Sequence, residues 1–203
     1  LDYQDQLFDM VNDPGQTTDI SKERPQVVKE MLEAREKWKK TVLVELPSKD
    51  KRPFFIGHTS VQTTQIPARD GIPHGELKRS NRFPNCTYFT HWVNQKDSIT
   101  WEAEVHKAGK FEVTVYFSCE EDAVGSVFEV SFGKAKIQGK IAEAHTTVEY
   151  GAEEDRVIRQ ESYVKDFKPL KIGVISLQKG RGTLKISGIK KNGRKLMDFR
   201  LML

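Results

Sequence analysis

The 203 residues are 37% hydrophobic and 31% charged, with a formal net charge of +4. This length holds one ordinary domain, or a domain with a substantial extra segment, and the composition excludes a chain disordered from end to end. Basic and acidic residues alternate along most of the sequence, which argues against a nucleic-acid partner, and no apolar run approaches the roughly 20 residues of a membrane span.

The chain opens on Leu1-Asp2-Tyr3-Gln4 with no visible signal peptide, which fits a processed chain or a piece of a longer protein. Asn12-Asp13-Pro14-Gly15 is a turn signal, because Asp-Pro opens a turn and glycine tolerates positive φ. A helix is predicted from Pro25, whose missing N–H suits a first turn. Val28, Met31, Leu32, Arg35, Trp38 and Val42 follow helical spacing, and Lys29–Glu33 and Glu33–Lys37 are opposite-charge pairs four residues apart. One apolar stripe on one helix must pack on something else.

Residues 47–97 read as a long irregular connector packing on the following domain. Pro47, Pro53, Pro67, Pro73 and Pro84 interrupt any long element, yet the stretch is rich in aromatic residues. From residue 98 the apolar period becomes two: Ile99 to Val105, Phe111 to Phe117, Phe128 to Phe132, Ala135 to Ile141, Leu170 to Leu177, Leu184 to Ile186 and Met197 to Leu203. Lys179-Gly180-Arg181-Gly182 and Lys191-Asn192-Gly193 read as hairpin turns. The expected fold is mainly β, an antiparallel sandwich of jelly-roll type over residues 98–203, preceded by a segment with one helix.

Five side chains are candidates for ligand contact. Arg69, Asp70 and His74 lie in a Pro/Gly-punctuated loop: either Arg69 holds a sulfate or carboxylate while His74 bonds a sugar hydroxyl, or an Arg69–Asp70 pair fixes a structural turn. Tyr88 and Trp92, with His91 between them, form either an aromatic platform for sugars or core filling. Trp101 falls at an inward position. The cluster Glu120, Glu121 and Asp122 is either a calcium site or a solvated loop, and the run Glu153 to Arg159 is a ligand edge or surface. Cys86 and Cys119 are either one disulfide or two thiols; their spacing excludes a zinc or redox Cys-x-x-Cys motif. No Gly-x-Ser-x-Gly elbow and no phosphate-binding glycine loop occurs.

The string Leu7-Phe8-Asp9-Met10-Val11-Asn12-Asp13-Pro14-Gly15-Gln16-Thr17-Thr18-Asp19-Ile20, followed by Arg24-Pro25-Gln26-Val27-Val28, resembles the C-terminal region of the bacterial arylsulfatase family. Gln16 and Asp19 depart from the commoner Glu and Asn. Residues Ile99 to Val105 and Ala108 to Val113 are similar to paired strands of carbohydrate-binding-module sandwiches. The resemblance implies residues 1–46 as a sulfatase tail and a catalytic sulfatase domain on its N-terminal side. That domain would hold calcium and a formylglycine, act on a sulfated carbohydrate and be periplasmic or secreted. Neither group is expected in this chain, no catalytic or metal residue is carried over to it, and Cys86 does not begin a formylglycine motif. The expected role is a non-catalytic region that completes the enzyme and shapes its pocket; the alternatives are an autonomous carbohydrate-binding module or a structural domain.

Overall fold

The computed structural model describes residues 1–46 and 52–203. The chain divides into two compact units at residue 50, so the boundary expected at Pro47 falls outside the described residues.

In the first unit, side-chain carboxylates replace regular structure. Asp13 accepts the N–H groups of Thr17 and Thr18 at 3.1 and 2.8 Å, and Asp19 accepts those of Leu7 and Ser21 at 3.0 and 2.9 Å. These bonds hold both carboxyls below their ordinary range. They fold the Asp-Pro-Gly segment back so that Ile20 donates to the Leu7 carbonyl at 2.9 Å. Helix α1 spans Pro25–Val42, with proline in its first turn and Lys39 and Lys40 in its last, where cations complement the helix dipole. Arg35 anchors the N-terminal arm through Asp5 at 2.6 Å. The helix buries none of its residues.

The second unit is a two-sheet sandwich. Its strands are β1 (Phe54–Ile56), β2 (Ile66–Pro67), β3 (Ile72–His74), β4 (Lys78–Arg79), β5 (Phe89–Thr90), β6 (Ser98–Val105), β7 (Gly109–Ser118), β8 (Val127–Phe132), β9 (Ala135–Lys140), β10 (Lys168–Leu177), β11 (Gly180–Lys190) and β12 (Asp198–Met202). The first sheet runs β1-β6-β11-β8-β9, with β3 sharing the β1 edge of β6. The second runs β10-β7-β12-β5-β4, with β2 beside β12. Every pairing is antiparallel except β1 with β6. Alternation buries one face of each sheet. Trp101, opposite Leu184, and Phe199, opposite Phe117, meet across the core with ring centroids 5.7 Å apart. The Trp101 indole donates to the Pro67 carbonyl at 3.0 Å, so the inward position expected for it is observed.

Two expectations are corrected. Residues 52–97 are not an irregular connector, because strands β1 to β5 within them belong to the sheets. Each has only two or three residues, too few for a period to register in the sequence. The turns at Lys179–Gly182 and Lys191–Gly193 are not hairpins. β10 and β12 lie in the sheet opposite β11, so both turns cross the sandwich. Gly-rich punctuation marks a reversal of the chain without stating which sheet receives it. β8 and β9 do form a hairpin, turning at Gly133 with φ 58°.

Where β9 passes the core, a Cβ on Gly139 would lie 2.4 Å from the Phe128 ring and 2.6 Å from Ile172. Gly139→Ala should therefore destabilise the sandwich by about 1–3 kcal/mol. The measurement is a lower urea midpoint at unchanged slope; an unshifted midpoint would mean that Phe128 yields freely.

Candidate functional site

The strand ends at Ser98, Ser118, Val127 and Lys190 place four connections at one end of the sandwich: 91–97, 119–126, 141–167 and 191–197. Connections 91–97, 119–126 and 191–197, with Thr90 of β5, surround a pocket of about 330 Å³ lined by Thr90, His91, Val93, Glu120, Arg194 and Lys195.

The pocket's walls are fixed by bonds between connections. Asn192 donates its amide to the Val124 carbonyl at 2.8 Å, and its backbone N–H to Ser126 Oγ at 2.9 Å. Arg194 is bound to Asp122 through its backbone N–H at 3.1 Å and its guanidinium at 3.5 Å. Gly193 has φ 62°, and a Cβ there would lie 2.4 Å from the Asp122 carboxyl carbon, so only glycine lets the two connections approach this closely. His91 has φ 59°, which is uncommon for a side-chain-bearing residue. The neighbouring Trp92 is wholly buried, and its carbonyl accepts the Leu196 N–H at 2.9 Å. With Trp92 anchored in the core, the backbone reverses at His91 and leaves that imidazole exposed at the pocket.

Behind the pocket lies a buried ion cluster. Phe199 and Phe89 face the core, so alternation turns Asp198 and Tyr88 to the outer face of the second sheet. Asp198 is 2% exposed and accepts Thr90 Oγ1 at 2.7 Å, Lys165 Nζ at 2.6 Å and Lys195 Nζ at 3.2 Å. Lys165 belongs to connection 141–167, which lies over this face, and its ammonium sits 4.9 Å from the Tyr88 ring centroid. The same connection is held by Tyr88–Glu149 at 3.0 Å, Asn81 to the Gln160 carbonyl at 2.7 Å and Arg82–Gln160 at 2.9 Å. Burial, then the bond to Glu149, raises the Tyr88 phenol well above its ordinary value.

The residues expected to contact ligand do not line this pocket. Arg69 and Asp70 pair at 3.3 Å on a 3₁₀ turn between β2 and β3, with both side chains exposed. His74 Nε2 lies 2.8 Å from Thr100 Oγ1. Tyr88 and Trp92 offer no platform: Tyr88 is 9% exposed beneath connection 141–167, and Trp92 is fully enclosed. Cys86 and Cys119 are free thiols, so the possible disulfide is absent from this structure. Cys119 is buried in a backbone pairing with His145, and Cys86 sits in a separate turn at φ 51°. Of the acidic cluster, Asp122 is committed to Arg194 and Glu120 reaches the pocket. Arg194 and Lys195 escaped notice because their segment read as a hairpin; the signal for them was a glycine followed by two cations before a buried strand.

No protein-family profile matches the sequence, and no curated protein sequence matches it. Solved structures with a similar chain path include the C-terminal family 6 carbohydrate-binding module of a laminarinase from Zobellia galactanivorans (TM-score 0.46, 7% identity, 68% of this chain and 94% of that one). A β-1,3-glucan-binding family 6 module from Bacillus halodurans has TM-score 0.46 at 12% identity, over 68% of this chain and 92% of the other. A Podospora anserina β-1,4-mannanase with a family 35 module has TM-score 0.44 at 12% identity; the match covers 68% of this chain but only 26% of the mannanase. The fold is a β-sandwich with one helix in the preceding unit, as expected. No helix among the described residues is long and apolar enough to cross a membrane.

Two outcomes follow. Asp198→Ala strands the Lys165 ammonium and should cost about 3–5 kcal/mol, with connection 141–167 becoming the first site of limited proteolysis. Protection equal to wild type would show that the ion cluster does not hold it. The raised Tyr88 pKa adds stability that is complete below the unfolded value and is lost as pH rises above it. Unfolding midpoints should therefore fall from pH 9 to pH 11, and Tyr88→Phe should fall less; parallel declines would contradict the assignment.

Proposed function

We propose that residues 52–203 recognise carbohydrate at the loop-end pocket without chemistry of their own, holding a neutral glycan through paired donors and acceptors. The carrying observation is the local charge balance. Three cations (Lys165, Arg194 and Lys195) stand against three carboxylates (Glu120, Asp122 and Asp198) in and directly behind the pocket. Such a site has no surplus charge with which to capture sulfate. It does present a carboxylate acceptor, two cationic donors and a threonine hydroxyl at fixed positions. Sugar hydroxyls both donate and accept, so adjacent hydroxyls can bridge Glu120 and Arg194 or Lys195 through charge-assisted bonds. The connections are bonded to one another before any ligand arrives, which limits the entropy lost on binding.

A second reading, in which the chain completes a secreted or periplasmic sulfatase, is favoured by the first unit. Its Asp-turn string resembles that family, and its helix leaves Val27, Met31, Trp38 and Val42 exposed, a stripe that a catalytic body would cover. On this reading Arg69→Ala or His74→Ala in the whole enzyme would change substrate selectivity.

Calorimetry of the purified chain against neutral and sulfated oligosaccharides, at low and high salt, tests the primary reading. Saturable binding of a neutral member, insensitive to salt and weakened about tenfold by Arg194→Ala or Glu120→Gln, is expected. Binding confined to sulfated members, with steep salt dependence, would overturn the neutral assignment. No binding at millimolar ligand would overturn autonomous recognition.

A further inference from the structure

The two outer surfaces of the sandwich carry opposite charge. On the first sheet, Val130, Ile137, Leu184 and Ile186 face the core, so alternation turns Glu129 of β8, Lys136 and Lys140 of β9 and Lys185 of β11 outward. The register sets Lys190 opposite Val127 on the same side. Glu129 is bonded to Lys136 at 2.9 Å. Lys140, Lys185 and Lys190 are exposed and lie within ion-pairing distance of no carboxylate among the described residues. Four ammonium groups thus stand against one carboxylate across β8, β9 and β11. Over the second sheet the outer surface is connection 141–167. Its Lys165 turns inward to Asp198, and Glu149 reaches Tyr88. Its remaining charge is acidic: Glu153, Glu154, Glu161 and Asp166 have no ion-pair partner among the described residues, against one unpaired cation, Arg156. The same connection exposes Val148, Tyr150, Val157, Ile158 and Val164, and Val157 and Ile158 at its tip are 81% and 86% exposed. The tip is held there. Arg159 pairs with Asp155 at 3.4 Å and lies 4.1 Å from the Tyr163 ring centroid, and the next residue, Gln160, is bonded by Asn81 and Arg82. Apolar side chains fixed outward as a group mark an interaction surface.

We infer that copies of this chain stack back to face, the acidic, apolar surface of connection 141–167 on one copy seated on the lysine-bearing outer face of the first sheet on the next. A second copy is the partner that the charges select, because each surface is the complement of the other and both belong to one chain. The lysine stems offer methylene groups to Val157 and Ile158, while their ammonium groups meet Glu153 and Glu154. Each copy contributes two different surfaces, so the contact is heterologous and repeats from copy to copy. The stacking does not rest on carbohydrate recognition. The pocket at the strand ends belongs to neither surface, and on the carbohydrate reading stacking would link several pockets for multivalent binding.

The test is sedimentation equilibrium of the whole chain over a range of concentrations, at about 20 mM and about 0.5 M salt. The weight-average mass should rise with concentration at low salt and fall back toward the monomer at high salt. Lys140→Glu with Lys185→Glu, and separately Glu153→Lys with Glu154→Lys, should each weaken association by more than about tenfold, because like charges then meet. Mixed in equal amounts, the two variants should associate again, since each now carries the complement of the other; this rescue separates a lost contact from a misfolded chain. A monomer at both salt concentrations would overturn the stacking, and so would a mixture that stays monomeric. Association indifferent to salt and to both reversals would lie elsewhere, as on the exposed stripe of α1, and would overturn these surfaces. A monomer whose saturable binding of dextran sulfate is lost on Lys140→Glu with Lys185→Glu would give the basic face to a polyanion instead of a second copy.

Discussion

The Asp198 carboxylate is the point on which the ligand-bearing end of this protein depends. It occupies the first position of β12, and the next residue, Phe199, is committed to the core against Trp101. Strand alternation leaves Asp198 no choice but the outer face, where connection 141–167 covers it. A carboxylate at 2% exposure is tolerable only when charge and hydrogen bonds surround it. Its partners come from three separate places: Thr90 from β5, Lys165 from the covering connection and Lys195 from the turn before β12. Satisfying one buried charge thus fixes three pieces of chain, two of which, Thr90 and Lys195, are also pocket residues.

That arrangement explains why the pocket can be polar and still rigid. Arg194 and Lys195 reach it at the end of a connection whose other members are engaged: Asn192 with Val124 and Ser126, Gly193 against Asp122. The connection passes from one sheet to the other, so it cannot slide along a ladder as a hairpin can. Trp92 performs the same service on the opposite wall, where its burial forces the backbone through the left-handed conformation at His91.

The long strands were legible in the sequence because eight or more alternating residues carry their own period. β6, β7, β10 and β11 announce themselves, as does the inward Trp101. The short strands did not, since two residues such as Lys78–Arg79 or Phe89–Thr90 have no period and gain strand character only from a neighbour. The site was less legible still. Exposed aromatics were sought at Tyr88 and Trp92, but aromatic residues are drawn to the interior as readily as to ligands, and only the covering connection decides which. The pocket depends on which sheet each turn enters, and local glycine and asparagine chemistry does not encode that choice.

Connection 141–167 rests on the sandwich through side-chain bonds, the Cys119–His145 backbone bridge and the backbone bonds of Ile141 with Gly125 and Ser126, and it closes on itself at Tyr150 and Val164, rather than pairing through a ladder. Closing such an excursion grows only slowly more expensive with length, by about 0.6 kcal/mol for each doubling. Its tip is therefore a place where residues can be inserted or exchanged while Lys165 and Glu149 keep their anchors. A scaffold built this way is permissive of diversification: one stretch of sequence can vary freely in length and content over a sheet face whose register never has to change.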